Sequence, residues 1–277
     1  MNTRMFPGHY NHAQENYCST VRSGATFDCN PQESPEREDQ SALARTNIQS
    51  ASLLSQPEQD RLLRRQALDI AQQEKYAEAI VLFDQLISRN PINASDFNNR
   101  GLLHFRNGNP DQALADYNQA LQLNPQLAKV YNNRANCYAS LGQLAEAIAD
   151  YETAIDLDPA NIRAWINQGI TFRDLKMYSQ AIENFDLALR FNQIFQDSDN
   201  DPAFLEGHIY AERGRTHHLA GDWNCAVADY QRALLELSQT HPLATSTSYR
   251  LQLQVEAWLD NLLKPLLESR WEEDTEL

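Results

Sequence analysis

The chain has 277 residues, 42% of them apolar, and 23 Lys and Arg against 38 Asp and Glu leave it at a formal charge of −15. This acidity argues against a general binder of nucleic acid or of an anionic membrane, because phosphate binding draws on Lys and Arg. No apolar run approaches the ~20 residues of a membrane span.

The first stretch, 1–56, is polar, has no sustained hydrophobic period and contains CNPQESPEREDQS, so it is expected to be a disordered tail. Tyr10, Tyr17 and Phe27 are its candidate anchors for a short binding motif. Its opening, MNTRMFPGHYNHAQENYCSTV, lacks the continuous apolar segment of a secretory signal. The four cysteines, Cys18, Cys29, Cys137 and Cys225, show no paired metal-ligand spacing, so a reducing cytoplasm and no metal or cofactor are expected.

From 57 to 240 the chain repeats itself. NNRGLLHFRNGNPDQALADYNQALQLNP, starting at Asn98, maps onto NNRANCYASLGQLAEAIADYETAIDLDP, starting at Asn132, with a constant offset of 34 residues. The register extends upstream through Ala79, Phe83 and Pro91, and downstream through Trp165, Gly169, Ala181, Phe185 and Ala188. It slips by a further 11 residues and returns at Tyr210, Gly214, Gly221, Ala226, Tyr230 and Ala233. Five repeats result, at about 60–93, 94–127, 128–161, 162–195 and 207–240, with an insertion near 196–206.

Each repeat carries two helical stripes, such as Tyr131, Ala135 and Tyr138, then Leu144, Ala147, Ile148, Tyr151, Ala154 and Ile155. Gly108, Gly142 and Gly221 fall between the stripes, where a left-handed helix cap suits glycine. Pro125 and Pro159 follow the second helix and stop it. Small residues (Gly101, Ala113, Ala120) stand where two helices must approach, so each repeat is expected to be an antiparallel hairpin. Residues 241–271 then form a closing helix through Leu251, Val255, Trp258, Leu259, Leu262 and Leu266, with a kink or break expected at Pro265. The end, 272–277 (EEDTEL), is an acidic tail.

A large apolar residue followed in fixed order by Gly or Ala, an aromatic, Gly, Ala, an aromatic, Ala and Pro resembles the tetratricopeptide repeat (TPR) family over roughly residues 60 to 240. The resemblance implies an all-α, right-handed α-solenoid with a C-terminal capping helix. The second and third repeats are similar to bacterial members, cyanobacterial ones among them. There are departures: Glu74 and Lys176 stand where Gly is usual, Leu86 where Ala is usual, and Gln193 where Pro is usual.

Catalysis has no visible apparatus. His217 and His218 are adjacent on a helix, point about 100° apart and cannot share one ligand. Asp197, Asp199 and Asp201 begin like a calcium loop, but Pro202 stands where the turn needs Gly and His208 where a bidentate Glu closes such a site. A solvated acidic loop is the expected reading.

The face opposite the buried stripe of each first helix is the one that, by the TPR resemblance, lines a concave peptide groove. Asn99, Asn133 and Asn167 repeat there, and a carboxamide can both donate to and accept from the backbone of an extended partner. Asn136 adds to them. Arg61, Arg65, Arg106, Lys129, Arg163 and Arg215 outnumber Asp174 and Glu212 on this face, a cationic lining that would steer acidic segments inward. Lys129 with Asn99 and Asn133 is similar to part of the carboxylate clamp of some TPR co-chaperones, although Asn167 stands where that clamp has a second basic residue. The expected function is a non-catalytic interaction scaffold or assembly factor for an acidic peptide. Two alternatives are a co-chaperone-like receptor for a C-terminal carboxylate and a regulatory subunit of an enzyme complex. Nothing in the residue pattern specifies an oligomeric state.

Overall fold

The computed structural model describes residues 55–194, 202–238 and 246–274, and all the regular elements there are α-helices. The expected tail anchors Tyr10, Tyr17 and Phe27, together with Cys18, Cys29, Asp197, Asp199 and Asp201, lie outside the described residues. The described chain falls into two compact bodies, 55–141 and 142–274.

The first body holds α1 (Gln56–Gln72), α2 (Tyr76–Arg89), α3 (Ala94–Arg106), α4 (Pro110–Leu123) and α5 (Ala128–Ser140). The Ser55 backbone N–H donates to Glu58 Oε2 at 2.8 Å, fixing the start of α1. Asn93 accepts from Ser95 N at 3.0 Å to start α3, and Pro110 opens α4 at a position whose N–H has no helical partner. Consecutive helices pack on one another. Ala67, Ala71, Ala79, Phe83, Leu86 and Leu103 close one core cluster. Phe97, Ala113, Tyr117, Ala120, Val130 and Cys137 belong to the next. Burial pushes the Cys137 thiol up to about 12, so this cysteine behaves as a small apolar filler.

The second body holds α6 (Leu144–Leu157), α7 (Ile162–Asp174), α8 (Tyr178–Ile194), α9 (Pro202–Ala220), α10 (Trp223–Ser238) and α11 (Ser246–Asp274). With Gln193 in place of proline nothing stops α8 early, and it runs to Ile194. The end of the sequence insertion, 202–206, is likewise helical, because α9 starts at Pro202. Along α11, Val255 and Leu262 are buried in one cluster with Ala211, Ala226, Tyr230 and Ala233. Of the kink or break expected at Pro265, the break does not occur, since α11 is continuous through that position to Asp274. A proline removes one helical hydrogen bond, and the Val255 and Leu262 contacts hold the preceding turns in place. The last residues expected to form the acidic tail, 275–277, lie outside the described residues.

The departures at Glu74 and Lys176 become intelligible from the backbone. Both have φ of 62°, while Gly108, Gly142 and Gly221 at the corresponding turns have φ of 80°, 75° and 85°. The turn geometry is kept, and the two non-glycine residues carry its strain.

Candidate functional site

In the first body α5 carries Lys129, Asn133 and Asn136 at spacings of four and three, which places them on one helix face. Lys129 is exposed, whereas Asn133 and Asn136 are each only 1% exposed. On α3, Asn99 is equally buried and Arg106 half-buried; Arg65 on α1 is exposed. Asn133 Nδ2 donates to Asn98 Oδ1 at 3.1 Å, tying α5 to α3. Its Oδ1 is covered and accepts no hydrogen bond. Part of the asparagine row is therefore engaged inside the array, because the packing of α3 against α5 covers these short side chains. Removing the Asn133 carboxamide would also take a donor from Asn98.

In the second body Arg163 and Asn167 lie one turn apart on α7, the first half-buried and the second 6% exposed. Burial lowers the pKa of Arg163 below its usual value. Arg215 on α9 lies with its guanidinium 4.9 Å from the Trp258 ring centroid of α11, which leaves it half-buried. Burial, and then the neighbouring Arg173, lower its pKa, against Glu212 and Asp174.

Of the two acids at the expected groove positions, Asp174 and Glu212, the second does not stand alone. It is 4% exposed and accepts a hydrogen bond from Arg173, itself 4% exposed, with His208 Nε2 at 3.8 Å. Burial alone would raise the Glu212 pKa; Arg173, His208 and Arg215 reverse this and hold it well below the usual carboxylate range. Sequence reasoning missed Arg173, which lies off the groove stripe and is recognisable only through its partner.

A second set of missed residues positions the faces. Arg100 on α3 grips Asp116 on α4 at 2.9 and 2.6 Å and reaches Asp84 on α2 at 2.6 Å. Arg213 on α9 repeats this in the second body, with Asp229 on α10 at 2.8 and 2.7 Å and Asp186 on α8 at 2.5 Å. The signal was present: an Arg one residue before the small residue of the first helix, and aspartates on its own and the preceding second helix. Each bidentate clamp ties three helices and orients the faces they carry.

The sequence model described as "Tetratricopeptide repeat" matches residues 64–128, 98–162 and 132–199. No curated protein matches in sequence. A similar solved structure is TTC0263, a thermophilic TPR protein in Thermus thermophilus, with 16% identity and a TM-score of 0.56 over 72% of this chain and 97% of that one. MamA 41-end from Desulfovibrio magneticus RS-1 is 17% identical, with a TM-score of 0.55 over 66% of this chain and 97% of its own. YrrB, titled a TPR protein with an unusual peptide-binding site, is 13% identical with a TM-score of 0.50, over 70% of this chain and 90% of that one. These likenesses concern the fold.

Proposed function

We propose that this chain, which belongs to the tetratricopeptide repeat family and is a protein-interaction scaffold, is non-catalytic and holds an extended acidic peptide against its first-helix faces. The observation that carries the acidic preference is the set of cations on those faces, Arg65, Lys129, Arg163 and Arg215, in a chain of net charge −15. In the first body exposed Lys129 leads the contact face with half-buried Arg106, while the nearly covered Asn99, Asn133 and Asn136 brace it from beneath. In the second body Arg163, Asn167 and Arg215 play the corresponding part. The Arg173–Glu212 pair keeps the Glu212 carboxylate from opposing an acidic partner. Work inside a reducing cytoplasm suits this reading.

Among the described residues no helix is long and apolar enough to cross a membrane. The test is titration of the whole protein with a fluorescently labelled, Glu-rich peptide, read by anisotropy at low and high salt. Lys129→Glu combined with Arg163→Glu should weaken binding about tenfold or more at low salt, and added salt should shrink the difference between the two proteins because it screens exposed charge. Equal affinity of the parent and the double variant at low salt would remove the acidic-peptide reading while leaving the scaffold intact.

A further inference from the structure

The turn joining α9 to α10 brings together three ligand-type side chains that the groove does not use. His217 lies in the last turn of α9, Asp222 precedes α10 and Cys225 lies in the first turn of α10. Their ligand atoms all fall within 4.8 Å of one another. His217 Nδ1 is 3.4 Å from Asp222 Oδ2 and is covered, yet neither donates nor accepts a hydrogen bond. We propose that His217, Asp222 and Cys225 form a binding site for a divalent transition-metal ion of the zinc type.

Four features support this. An imidazole nitrogen, a carboxylate oxygen and a thiolate sulfur make a donor set suited to zinc. Bonds of ~2.0–2.3 Å in tetrahedral geometry put donors roughly 3.3–3.8 Å apart, so the His–Asp separation already fits and the Cys225 sulfur, within 4.8 Å of both, would have to close in by about 1 Å. Asp222 divides its two oxygens: Oδ1 faces the Cys225 backbone N–H at 3.5 Å as a helix cap, and Oδ2 stays turned to His217. On the far side of the ring, Asp229 Oδ2 lies 4.0 Å from His217 Nε2 and is itself held by Arg213. At 4.0 Å it makes no hydrogen bond to the ring, but its negative charge lies on the side where the Nε2 proton would sit with Nδ1 as the ligand.

The chain supplies its own internal control. The corresponding turns carry Ile70, Lys75 and Glu78; His104, Asn109 and Gln112; Tyr138, Gln143 and Glu146; and Phe172, Met177 and Gln180. The turn therefore forms without this donor trio, and the fold does not explain it. The sequence pattern hides the site, because Cys225 has no second cysteine at a paired spacing and His217 meets Asp222 and Cys225 only through the turn. Three protein donors leave a fourth position for water or for a side chain of a partner. Cys225 binds as thiolate, and its proton passes to the buffer.

Cobalt(II) is the probe, added to the reduced full-length protein. One equivalent should bind with a thiolate-to-cobalt absorption in the near ultraviolet and the visible bands of four-coordinate cobalt, and zinc should displace it. Cys225→Ser and His217→Gln should each abolish that spectrum or weaken binding at least ~100-fold, with the circular dichroism unchanged. Asp222→Asn keeps the helix cap and should weaken binding ~10-fold or more. Replacing Cys18, Cys29 and Cys137 together by Ser should leave the spectrum intact. Absence of the thiolate band in the parent would overturn the proposal, as would its persistence in Cys225→Ser or His217→Gln.

Discussion

Gly101→Ala sets two effects of known size against each other. In an isolated helix the change is favourable by about 1 kcal/mol, because alanine is the better helix former. In this fold the added Cβ would stand 2.9 Å from Tyr117 Cε1, 3.0 Å from Cδ1 and 3.2 Å from the Ala113 carbonyl oxygen. Carbon atoms pack at about 3.5–4.0 Å. The Tyr117 ring cannot swing clear, since it is 0% exposed among Phe97, Ala120, Val130 and Cys137. Overpacking costs about 1–3 kcal/mol, so the net effect should be a destabilisation of about 1 kcal/mol. Gly108→Ala is the contrasting variant: nothing lies within 4 Å of its Cβ, and a similar loss of about 1 kcal/mol should come from the φ of +80° alone. Urea unfolding followed by circular dichroism measures both. A Tyr117→Leu background separates the causes, because it should relieve Gly101→Ala and leave Gly108→Ala unchanged. A rise in the unfolding midpoint of Gly101→Ala, or equal behaviour of the two variants in that background, would refute the close-approach argument.

Lys176→Gly should stabilise the second body by about 0.5 kcal/mol, the release of left-handed strain at φ 62° outweighing the entropy of a freer unfolded chain; a lower unfolding midpoint would contradict this. Glu212→Ala should cost about 3 kcal/mol by leaving Arg173 buried beside a hole, and Arg173→Met with Glu212→Leu should recover most of it in the same unfolding assay. The Glu212 carboxyl titrates lower folded than unfolded, so its contribution is complete above the ordinary Glu pKa of about 4.3 and drains away as pH falls through that value and on through the folded one. Glu212→Gln should flatten that acid stretch of the stability curve relative to the parent; parallel curves would show that the pair does not titrate with folding.

The helix pairs were legible because helical periodicity and a 34-residue register state the same thing twice. Even the departures obeyed it, since Glu74 and Lys176 adopt the backbone conformation of the glycines they replace. What the sequence withheld was the outcome of competing local terms. Pro265 marks a helix stop by its missing N–H, yet α11 passes through it, and the buried Val255 and Leu262 that anchor the helix are long-range facts. The asparagines were recognisable as one position repeated on successive first helices, but not as buried. Their exposure depends on how closely α3 and α5 pack, and a helical wheel carries no information about the next helix.

The same limit applies to charge, and it changes what the proposed contact faces could do. Counting residues on the face treats Glu212 and Arg215 as free opposite charges. Instead Glu212 is neutralised from α7 by Arg173, and Arg215 is partly desolvated over Trp258. A desolvated guanidinium whose carboxylate neighbour is already engaged has more to gain from an incoming carboxylate than a hydrated one, because little further desolvation remains to oppose the contact. On the proposed acidic-peptide reading, exposed Lys129 would contribute steering, which salt screens, and half-buried Arg215 would contribute holding, which salt affects less. The two roles divide kinetically: Lys129→Glu should act mainly on the association rate of an acidic peptide and Arg215→Gln mainly on its dissociation rate, measured by stopped-flow fluorescence. If both variants changed only association, the half-buried arginine would be acting as one more surface charge.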